Sequence, residues 1–187
     1  MEKLDRLGWA AGMSFKAYGV RVGVRVNDPA AMDRLGEHLP PGWKPAAAPI
    51  VERLYSLVVA RAASRPGLRR FNVLYGDTER LVRSTEPDQV FESLESNVQL
   101  YVAEKARRKV FVHAGVVSWR GRTIIIPGRS LSGKTTLVGE FVRAGATYYS
   151  DEYAVLDASG RVHPYPKPMS VREPGSQMQK RASMQSL

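Results

Sequence analysis

The sequence predicts an α/β protein in which a small N-terminal α+β region precedes a core built on a strand, a glycine-bounded loop and a helix. Three observations support this fold class. Apolar and polar residues alternate in the first 86 residues, a helical apolar stripe follows, and "IIIPGRSLSGKTTLVGEF" then joins a β-branched run to a second helix. We therefore divide the chain into residues 1–86, residues 87–173 and a polar tail, residues 174–187, that we expect to be disordered.

The composition fits a folded cytoplasmic protein. Hydrophobic residues make up 43% of the 187 residues, which is enough for a core. The absence of cysteine excludes disulfides and cysteine-ligated metals and fits a reducing compartment. The first residues include acidic side chains and no continuous apolar segment, and no apolar run approaches the roughly 20 residues of a membrane span. We therefore expect a cytoplasmic protein with no membrane partner.

The charge is strongly basic, at +10 from 28 basic and 18 acidic residues. Such a charge suggests a polyanionic partner, which would be nucleic acid, a membrane surface or a nucleotide. The arginines are scattered along the chain, and the one dense cluster, residues 105–109, ends a predicted helix, where cations favour the helix dipole without any ligand. This distribution favours an arginine-rich composition and argues against nucleic acid as a partner.

The N-terminal region is predicted to be a small sheet with one helix. Phe15–Val26 alternates apolar and polar residues, as in a half-buried strand. Asp28 and Pro29 are placed to cap and open a short helix, and Pro40–Pro49 is a proline-rich loop. Three more strands are predicted over residues 53–61, 69–77 and 78–84.

The clearest helix opens the second region, after Pro87 and Asp88. One stripe of this helix is apolar and contains Val90, Phe91, Leu94, Val98, Tyr101 and Val102. Short strands follow, with a hairpin turn at residues 120–121 between "VFVHAGVVSW" and "RTIIIP". Beyond the second helix, "ATYYSDEYAVLD" and "GRVHPYP" are predicted strands joined by the turn "DASG".

The loop between the strand "RTIIIP" and the second predicted helix carries the strongest functional signal. Gly128–Thr135 matches G-x-x-x-x-G-K-[ST], a pattern that requires a strand before it and a helix after it. The strand is predicted over Thr123–Ile126, and the helix ends near Gly145. The inner face of this helix is predicted to contain Leu137, Val138, Phe141 and Val142.

The physical chemistry of such a loop favours a nucleotide polyphosphate as ligand. Glycines let the backbone N–H groups converge in a concave nest, and the helix start adds unpaired N–H groups and partial positive charge. Lys134 brings a full charge to the β- and γ-phosphates, and the hydroxyl of Thr135 can ligate Mg²⁺. The alternative is an ordinary glycine-rich turn with a surface lysine.

Phosphoryl transfer also needs a carboxylate, and Asp151 and Glu152 follow on the next predicted strand. If that strand and the loop strand belong to a parallel sheet, their ends lie at one edge and Asp151 faces the γ-phosphate. His113 reaches Asp151 if its strand neighbours the loop strand, and it would orient the carboxylate or tune its pKa. The alternatives are a solvated acidic pair and a structural histidine. His38 and His163 are assigned no role.

The chain lacks the LSGGQ signature of ABC-type ATPases and the N-K-x-D motif of GTPases, and "DASG" lies between strands, where a plain turn explains it.

The run from Val112 to Leu156 resembles the catalytic domain of bacterial HPr kinase/phosphorylase and, more closely, the HPr-kinase-like serine kinases. That family shares its core with phosphoenolpyruvate carboxykinase. The matching features occur in order: a histidine before a glycine, a hairpin, the phosphate loop, a short helix ending in "RAGA" and an early acidic pair. "YGVRVGVRV" and "YPKPMSVRE" are similar to that group as well.

The resemblance implies ATP- and Mg²⁺-dependent phosphorylation of a serine hydroxyl on a protein or peptide. In it Asp151 is the base, Lys134 binds phosphate, Thr135 and Glu152 bind Mg²⁺, and His113 supports Asp151. In the phosphorylase direction the same carboxylate activates inorganic phosphate. The residues implied in ATP binding are Gly128, Arg129, Ser130, Leu131, Ser132, Gly133, Lys134, Thr135 and Thr136.

Three departures from the family pattern keep other functions open. The second acidic residue is glutamate where the family has aspartate, an alanine separates His113 from Gly115, and the chain ends soon after "KPMSVRE", where the family's chains continue. The resemblance thus implies a C-terminally truncated catalytic domain. The alternatives are a non-catalytic or degenerate ATP-binding regulatory module and a kinase of a small hydroxylated metabolite. The family also forms homo-oligomers, which raises the same expectation here.

Overall fold

The computed structural model describes residues 2–47, 50–60, 70–172 and 179–182. These residues form a mixed α/β structure that divides into two compact units, residues 1–106 and residues 107–187. Each unit has its own sheet and its own apolar clusters. Within the described ranges, no helix combines the length and the apolar character that crossing a membrane requires.

The first unit is built on a six-stranded sheet with the strand order β3-β1-β2-β4-β5-β6. The strands are β1 (Ala11–Ala17), β2 (Val20–Val26), β3 (Lys44–Ala46), β4 (Arg53–Val58), β5 (Asn72–Gly76) and β6 (Glu79–Ser84). The helices are α1 (Glu2–Asp5), α2 (Ala30–Leu35), which continues into a 3-10 turn at Gly36–His38, and α3 (Pro87–Lys105). Strands β2 and β4 are parallel, and the other neighbours are antiparallel. The predicted α+β character of this region is confirmed.

A hairpin replaces the single strand that the sequence predicts over residues 15–26. Tyr18 and Gly19 have φ angles of +49° and +94°, so the chain reverses there and β1 pairs with β2 from Ala17 back to Ala11. A tight turn with two positive φ angles fits the twist of the two strands. The alternation continues through the turn because both strands place their apolar residues on the same buried face. The predicted proline-rich loop likewise contains the short edge strand β3.

Helix α3 covers the apolar face of the first sheet. Val90, Phe91, Leu94, Val98 and Val102 are buried in one cluster with residues of β1, β2, β4 and β5. The sequence analysis assigned this helix to the second region, but its apolar stripe packs within the first unit, whose boundary lies after residue 106. The stripe itself and the start of the helix at Pro87 are as predicted.

A buried polar pair lies inside this apolar cluster. The Nδ1 atom of His38 lies 2.8 Å from Oε2 of Glu95, and both residues are 7% exposed. Gln99 donates a hydrogen bond to the other oxygen of the Glu95 carboxylate, and the ring of Phe91 packs against the imidazole at 5.2 Å. His38, which the sequence left without a role, is therefore part of a paired polar network in the core.

Strand β7 (Val110–Trp119) is the long central strand of the second unit. The other elements are β8 (Arg122–Pro127), α4 (Lys134–Arg143), β9 (Thr147–Ser150), β10 (Tyr153–Leu156), β11 (Val162–His163), β12 (Met169–Arg172) and β13 (Gln179–Ala182). Strand β7 pairs with β8 along one edge, and with β9 and then β10 along the other. All of these pairings are antiparallel, so the sheet is not the parallel sheet that the sequence analysis considered. Because β8 and β9 both oppose β7, they run in the same direction, and their ends lie at the same edge.

The C-terminal residues only partly fall within the described structure. Of the tail predicted to be disordered, residues 174–178 and 183–187 lie outside the described residues. Gln179–Ala182 forms β13, which pairs antiparallel with β12. For these four residues the prediction of disorder is therefore wrong.

Candidate functional site

The phosphate-loop motif lies between β8 and α4, in the strand-loop-helix order that the sequence predicts. Gly128 is required by close packing, because a Cβ atom there would lie 2.5 Å from Oγ of Ser132 and 3.3 Å from Cγ of Lys134. Gly133 immediately precedes the helix with a φ of +85°, a conformation that favours glycine. The backbone N–H of Ser132 donates to the carbonyl of Arg129. These contacts curl the loop tightly upon itself.

Lys134 points back into this loop rather than out to solvent. Its Nζ atom donates hydrogen bonds of 2.8 Å to the carbonyl oxygens of Gly128 and Arg129, and the residue is 7% exposed. An ammonium removed from water requires such acceptors. The arrangement holds a full positive charge inside the curve of the loop, beside the first turn of α4, where the helix contributes further positive potential.

The acidic residues lie at the break between β9 and β10. The hydroxyl of Ser150 accepts hydrogen bonds from the backbone N–H groups of Glu152 and Tyr153, and the carbonyl of Glu152 accepts one from Ala114. These bonds interrupt the ladder at Asp151, which is 5% exposed. The chain therefore turns Asp151 inward at the same edge of the sheet at which β8 enters the phosphate loop.

Asp151 contacts the first turn of the phosphate-loop helix. The hydroxyl of Thr135 donates to Oδ2 of Asp151 at 3.3 Å. The other carboxylate oxygen, Oδ1, accepts a 2.7 Å hydrogen bond from the hydroxyl of Tyr148. The motif residue proposed to bind a metal and the carboxylate proposed as a base are therefore in direct contact, 16 residues apart in the chain.

Tyr148 is a site residue that the sequence did not reveal. It lies in an apolar cluster with Val117, Val138, Ala146 and Met169. Burial and then the charge of Asp151 raise the pKa of its phenol far above the usual value, so at neutral pH it is a neutral hydrogen-bond donor. In the sequence it stands beside another tyrosine on a predicted strand, and no local pattern distinguishes the two.

Glu152 and His113 form the more exposed side of the site. The Nε2 atom of His113 lies 4.0 Å from Oε2 of Glu152, and the two side chains are 43% and 41% exposed. Burial, followed by the charge of Asp151, raises the pKa of Glu152, while the charges of Lys167, His113 and Lys134 oppose this shift. The acidic residue described beside the imidazole is thus Glu152, and contact between His113 and Asp151 stays a prediction.

Lys167 is the second residue of the site that the sequence did not reveal. Its carbonyl oxygen lies 3.0 Å from the hydroxyl of Tyr148, and its ammonium is the largest of the charges that lower the pKa of Glu152. Two residues earlier, the N–H of Tyr165 donates to the carbonyl of Tyr149 in β9. The segment after β11 therefore runs beside β9 and brings a cation towards the acidic pair.

The arrangement suits phosphate more clearly than a protein-held metal. Within the described part of the chain, no three histidine, aspartate or glutamate side chains come together in a way that would hold a metal ion. Asp151, Glu152 and Thr135 nevertheless offer hard oxygen ligands. Mg²⁺ commonly takes one or two carboxylates and completes its shell with phosphate oxygens and water. The donors present fit Mg²⁺ that arrives with a nucleotide.

The remaining predicted loop residues lie at the surface. Arg129, Ser130, Leu131, Ser132 and Thr136 are all exposed. Leu131 is 79% exposed and has a φ of +68°. In the predicted inner face of α4, Val138 is buried, but Leu137 is 45% exposed, so its assignment to that face is wrong.

The other histidine of this unit belongs to a surface turn. Nε2 of His163 lies 2.7 Å from Oδ2 of Asp157, and Lys109 completes the group at 2.8 Å from the same nitrogen. The other oxygen of Asp157 accepts three hydrogen bonds, from the N–H and hydroxyl of Ser159 and from the N–H of Arg161. The interpretation of "DASG" as a plain turn is confirmed.

Comparison with known proteins gives the site no precedent. No family model, no curated protein and no solved structure matches the chain. The geometry shows a curled loop, a helix that begins with a buried lysine, and a threonine of that helix that touches a buried aspartate.

Proposed function

We propose that the second unit binds ATP with Mg²⁺ and transfers the γ-phosphoryl group to a serine hydroxyl of a protein or peptide, as the resemblance to HPr-kinase-like serine kinases implies. One observation carries the proposal: the hydroxyl of Thr135 donates to Asp151 at 3.3 Å. This contact joins the phosphate-loop helix to the acidic strand end. A glycine-rich turn of purely structural use has no need of a buried carboxylate at its helix start.

The loop supplies the binding of the triphosphate. Phosphate oxygens take hydrogen bonds from the backbone N–H groups of residues 128–136 and from the start of α4. Lys134 exchanges its two carbonyl acceptors for oxygens of the β- and γ-phosphates. A charge-assisted bond to phosphate is stronger than one to a neutral carbonyl, so this exchange favours the bound state.

Two residues are placed to hold the metal. The hydroxyl of Thr135 and the carboxylate of Glu152 would bind Mg²⁺ together with phosphate oxygens and water. The ion neutralises charge on the β- and γ-phosphates when it is bound. His113 lies 4.0 Å from Glu152 and balances part of the negative charge on this side of the site.

Asp151 is the residue that accepts a proton. Its Oδ1 accepts the 2.7 Å hydrogen bond from Tyr148, and its Oδ2 faces Thr135 at the start of the phosphate-loop helix, so we assign Oδ2 to the serine hydroxyl. As the hydroxyl proton moves to Oδ2, the serine oxygen bonds to the γ-phosphorus. The bond from that phosphorus to the β,γ-bridging oxygen breaks, and ADP leaves.

Two substitutions test the proposal. Lys134→Ala is expected to weaken ATP binding about 10- to 150-fold, because a hydrogen bond to a charged group is worth about 1.5–3 kcal/mol.

Asp151→Asn is expected to leave the Kd for ATP within about 3-fold of the wild-type value and to lower kcat about 10²- to 10⁴-fold, the usual range for loss of a general base. Calorimetry gives the affinity, and transfer from labelled ATP to candidate carrier proteins and serine peptides gives the rate. Lys109→Ala, in the surface turn, is the matched control for loss of a lysine.

The possible outcomes separate the candidate functions. Equal labelling by wild type and Asp151→Asn would remove Asp151 from the mechanism. ATP binding that Lys134→Ala weakens to this extent, with no transfer to any acceptor, would favour the non-catalytic regulatory module. Label found on a small hydroxylated metabolite would redirect the proposal to that substrate class. A wild-type protein that binds no ATP in the presence of Mg²⁺ would refute it.

A further inference from the structure

We propose that Tyr148 is a positioning residue that fixes the Asp151 carboxylate and ties it to the segment carrying Lys167. This inference rests on the proposed function in assigning Asp151 the role of base, and it adds a residue that the phosphate-loop motif does not contain. The phenol touches neither nucleotide nor acceptor in this scheme. It acts on the reaction through the carboxylate that it holds.

The first support is the geometry of the hydroxyl. It lies 2.7 Å from Oδ1 of Asp151 and 3.0 Å from the carbonyl oxygen of Lys167. A phenol has one hydrogen, so the two acceptors share it, and the shorter contact to the charged oxygen dominates. This bond occupies one carboxylate oxygen and leaves the other turned towards Thr135 and the phosphate loop.

The second support is the way the ring is held. Tyr148 is 6% exposed and packs with Val117 of the central strand, with Val138 of α4 and with Ala146, the residue before β9. Val138 belongs to the helix that begins at the phosphate loop. The ring is therefore fixed by the same elements that position the loop, and its hydroxyl transmits that position to Asp151.

The third support is the energetic cost of burying the Asp151 carboxylate, which the hydrogen bond from the phenol lowers. The carboxylate is 5% exposed, and a buried carboxylate without donors is costly. Without the phenol, Oδ1 would lose a 2.7 Å hydrogen bond to a charged oxygen, and with it one restraint on the orientation of the side chain. A displacement of about 1 Å at a catalytic group can cost about 100-fold in rate. The bond therefore serves geometry as well as stability.

The test compares Tyr148→Phe, which keeps the ring and removes only the hydroxyl, with Tyr149→Phe. The hydroxyl of Tyr149 has no hydrogen bond within the described residues, although this tyrosine is adjacent in the chain. For Tyr148→Phe we expect kcat to fall about 10- to 100-fold, the loss typical of a hydrogen bond to a charged group, while the Kd for ATP stays within about 2-fold. Tyr149→Phe should match the wild type in both. In an Asp151→Asn background, Tyr148→Phe should change kcat less than about 2-fold, because its partner has already lost its charge.

Unfolding of the wild type, Tyr148→Phe, Asp151→Asn and the double variant tests the contact without any turnover. Tyr148→Phe should lower the thermal midpoint by about 2–8 °C in the wild-type background and by clearly less in the Asp151→Asn background. If Tyr148→Phe alone does not fold, the pair with Asp151→Asn should restore folding, because the cause is a buried charge that has lost a donor. Equal losses in both backgrounds, failure of that rescue, or a Tyr148→Phe kcat equal to wild type would overturn the proposal. Absence of phosphoryl transfer by the wild type would count against the proposed function, while the unfolding comparison still decides the contact.

Discussion

The two units use buried polar groups in different ways. In the first unit buried His38, Glu95 and Gln99 bond to one another beside a cluster that contains, among the described residues, seventeen buried apolar ones. In the second unit the apolar clusters contain five and three buried residues in the described part, and buried Lys134 and Asp151 face the phosphate loop. The first unit therefore places these buried polar side chains against its apolar core, whereas the second places Lys134 and Asp151 beside the loop that the proposed function assigns to ATP.

The largest effect that sharpens this contrast is expected in the first core. Phe91→Ala removes a ring that is 1% exposed and that also packs against His38. We expect the free energy of unfolding to fall by about 3–5 kcal/mol, through lost burial and the cavity left behind. ATP affinity should be unchanged wherever the variant is folded, because every predicted contact with ATP lies in the second unit. Urea titration and calorimetry measure the two quantities.

The control for Phe91→Ala is Leu100→Ala in the same helix. Leu100 is 53% exposed and projects away from the cluster, so its truncation should cost less than about 0.5 kcal/mol. Similar losses for the two substitutions would contradict the assignment of the α3 stripe to the first core. A large loss of ATP affinity in folded Phe91→Ala would break the contrast between a stabilising unit and a site-bearing unit.

A smaller effect is expected where α4 meets the central strand. A Cβ atom at Gly115 would lie 2.5 Å from Cγ2 of Val138, so in Gly115→Ala either the side chain of Val138 or the whole of α4 must shift relative to β7. We expect a loss of about 1–3 kcal/mol in the free energy of unfolding, the usual cost of overpacking. ATP should also bind more weakly, because the loop moves with its helix.

Two companion variants decide whether the clash is the cause. Adding Val138→Ala to Gly115→Ala should recover part of the ATP affinity, since it removes the atom that the new methyl group meets. Gly139→Ala, one residue further along the helix, meets only ordinary contacts and should stabilise the helix by about 0.5–1 kcal/mol. If Gly115→Ala binds ATP as the wild type does, then the seating of α4 on β7 does not set the position of the loop.

Local patterns in the sequence predicted most elements of the fold but not their partners. The stripe of α3 shows that one face of the helix is buried, but the stripe is the same whichever sheet covers it. The hairpin at Tyr18 and Gly19 was missed because the two-residue period continues through the turn, and a tyrosine at positive φ gives little warning. Antiparallel pairing of β7 with β8 follows from the short hairpin turn, but the return of β9 to the far edge of β7 depends on tertiary packing.

The candidate site divides in the same way. Gly128–Thr135 is contiguous, so its spacing alone predicts a loop that curls back on itself. Asp151 could be predicted from its place at the end of the next strand. Tyr148 and Lys167 could not, because their roles depend on a contact between β9 and a segment that follows β11. His163 shows the opposite case: its carboxylate partner is only six residues away, but its pairing belongs to a turn.

The smallest effect concerns Glu152 and the pH dependence of the second unit. Burial and the neighbouring Asp151 raise the pKa of Glu152 above its ordinary value of 4.5, so the folded state holds the proton more tightly than the unfolded state. The resulting stability is fully present below pH 4.5 and is lost as the pH rises through the folded pKa. Glu152→Gln removes this loss. Without nucleotide and Mg²⁺, the free energy of unfolding of Glu152→Gln relative to wild type should therefore increase as the pH rises from 4 to 7. The increase should be less than about 1 kcal/mol, because the side chain is 41% exposed and its charge is screened.

Urea midpoints at the two pH values measure this difference, and Glu140→Gln, which changes an exposed glutamate of the same unit, is the control. If Glu152→Gln is more stable at pH 7 but binds ATP more weakly in the presence of Mg²⁺, the carboxylate pair destabilises the fold of the second unit and serves to hold a cation. If the variant is no more stable than the wild type at pH 7, the charge of Lys167 already offsets the repulsion between Asp151 and Glu152.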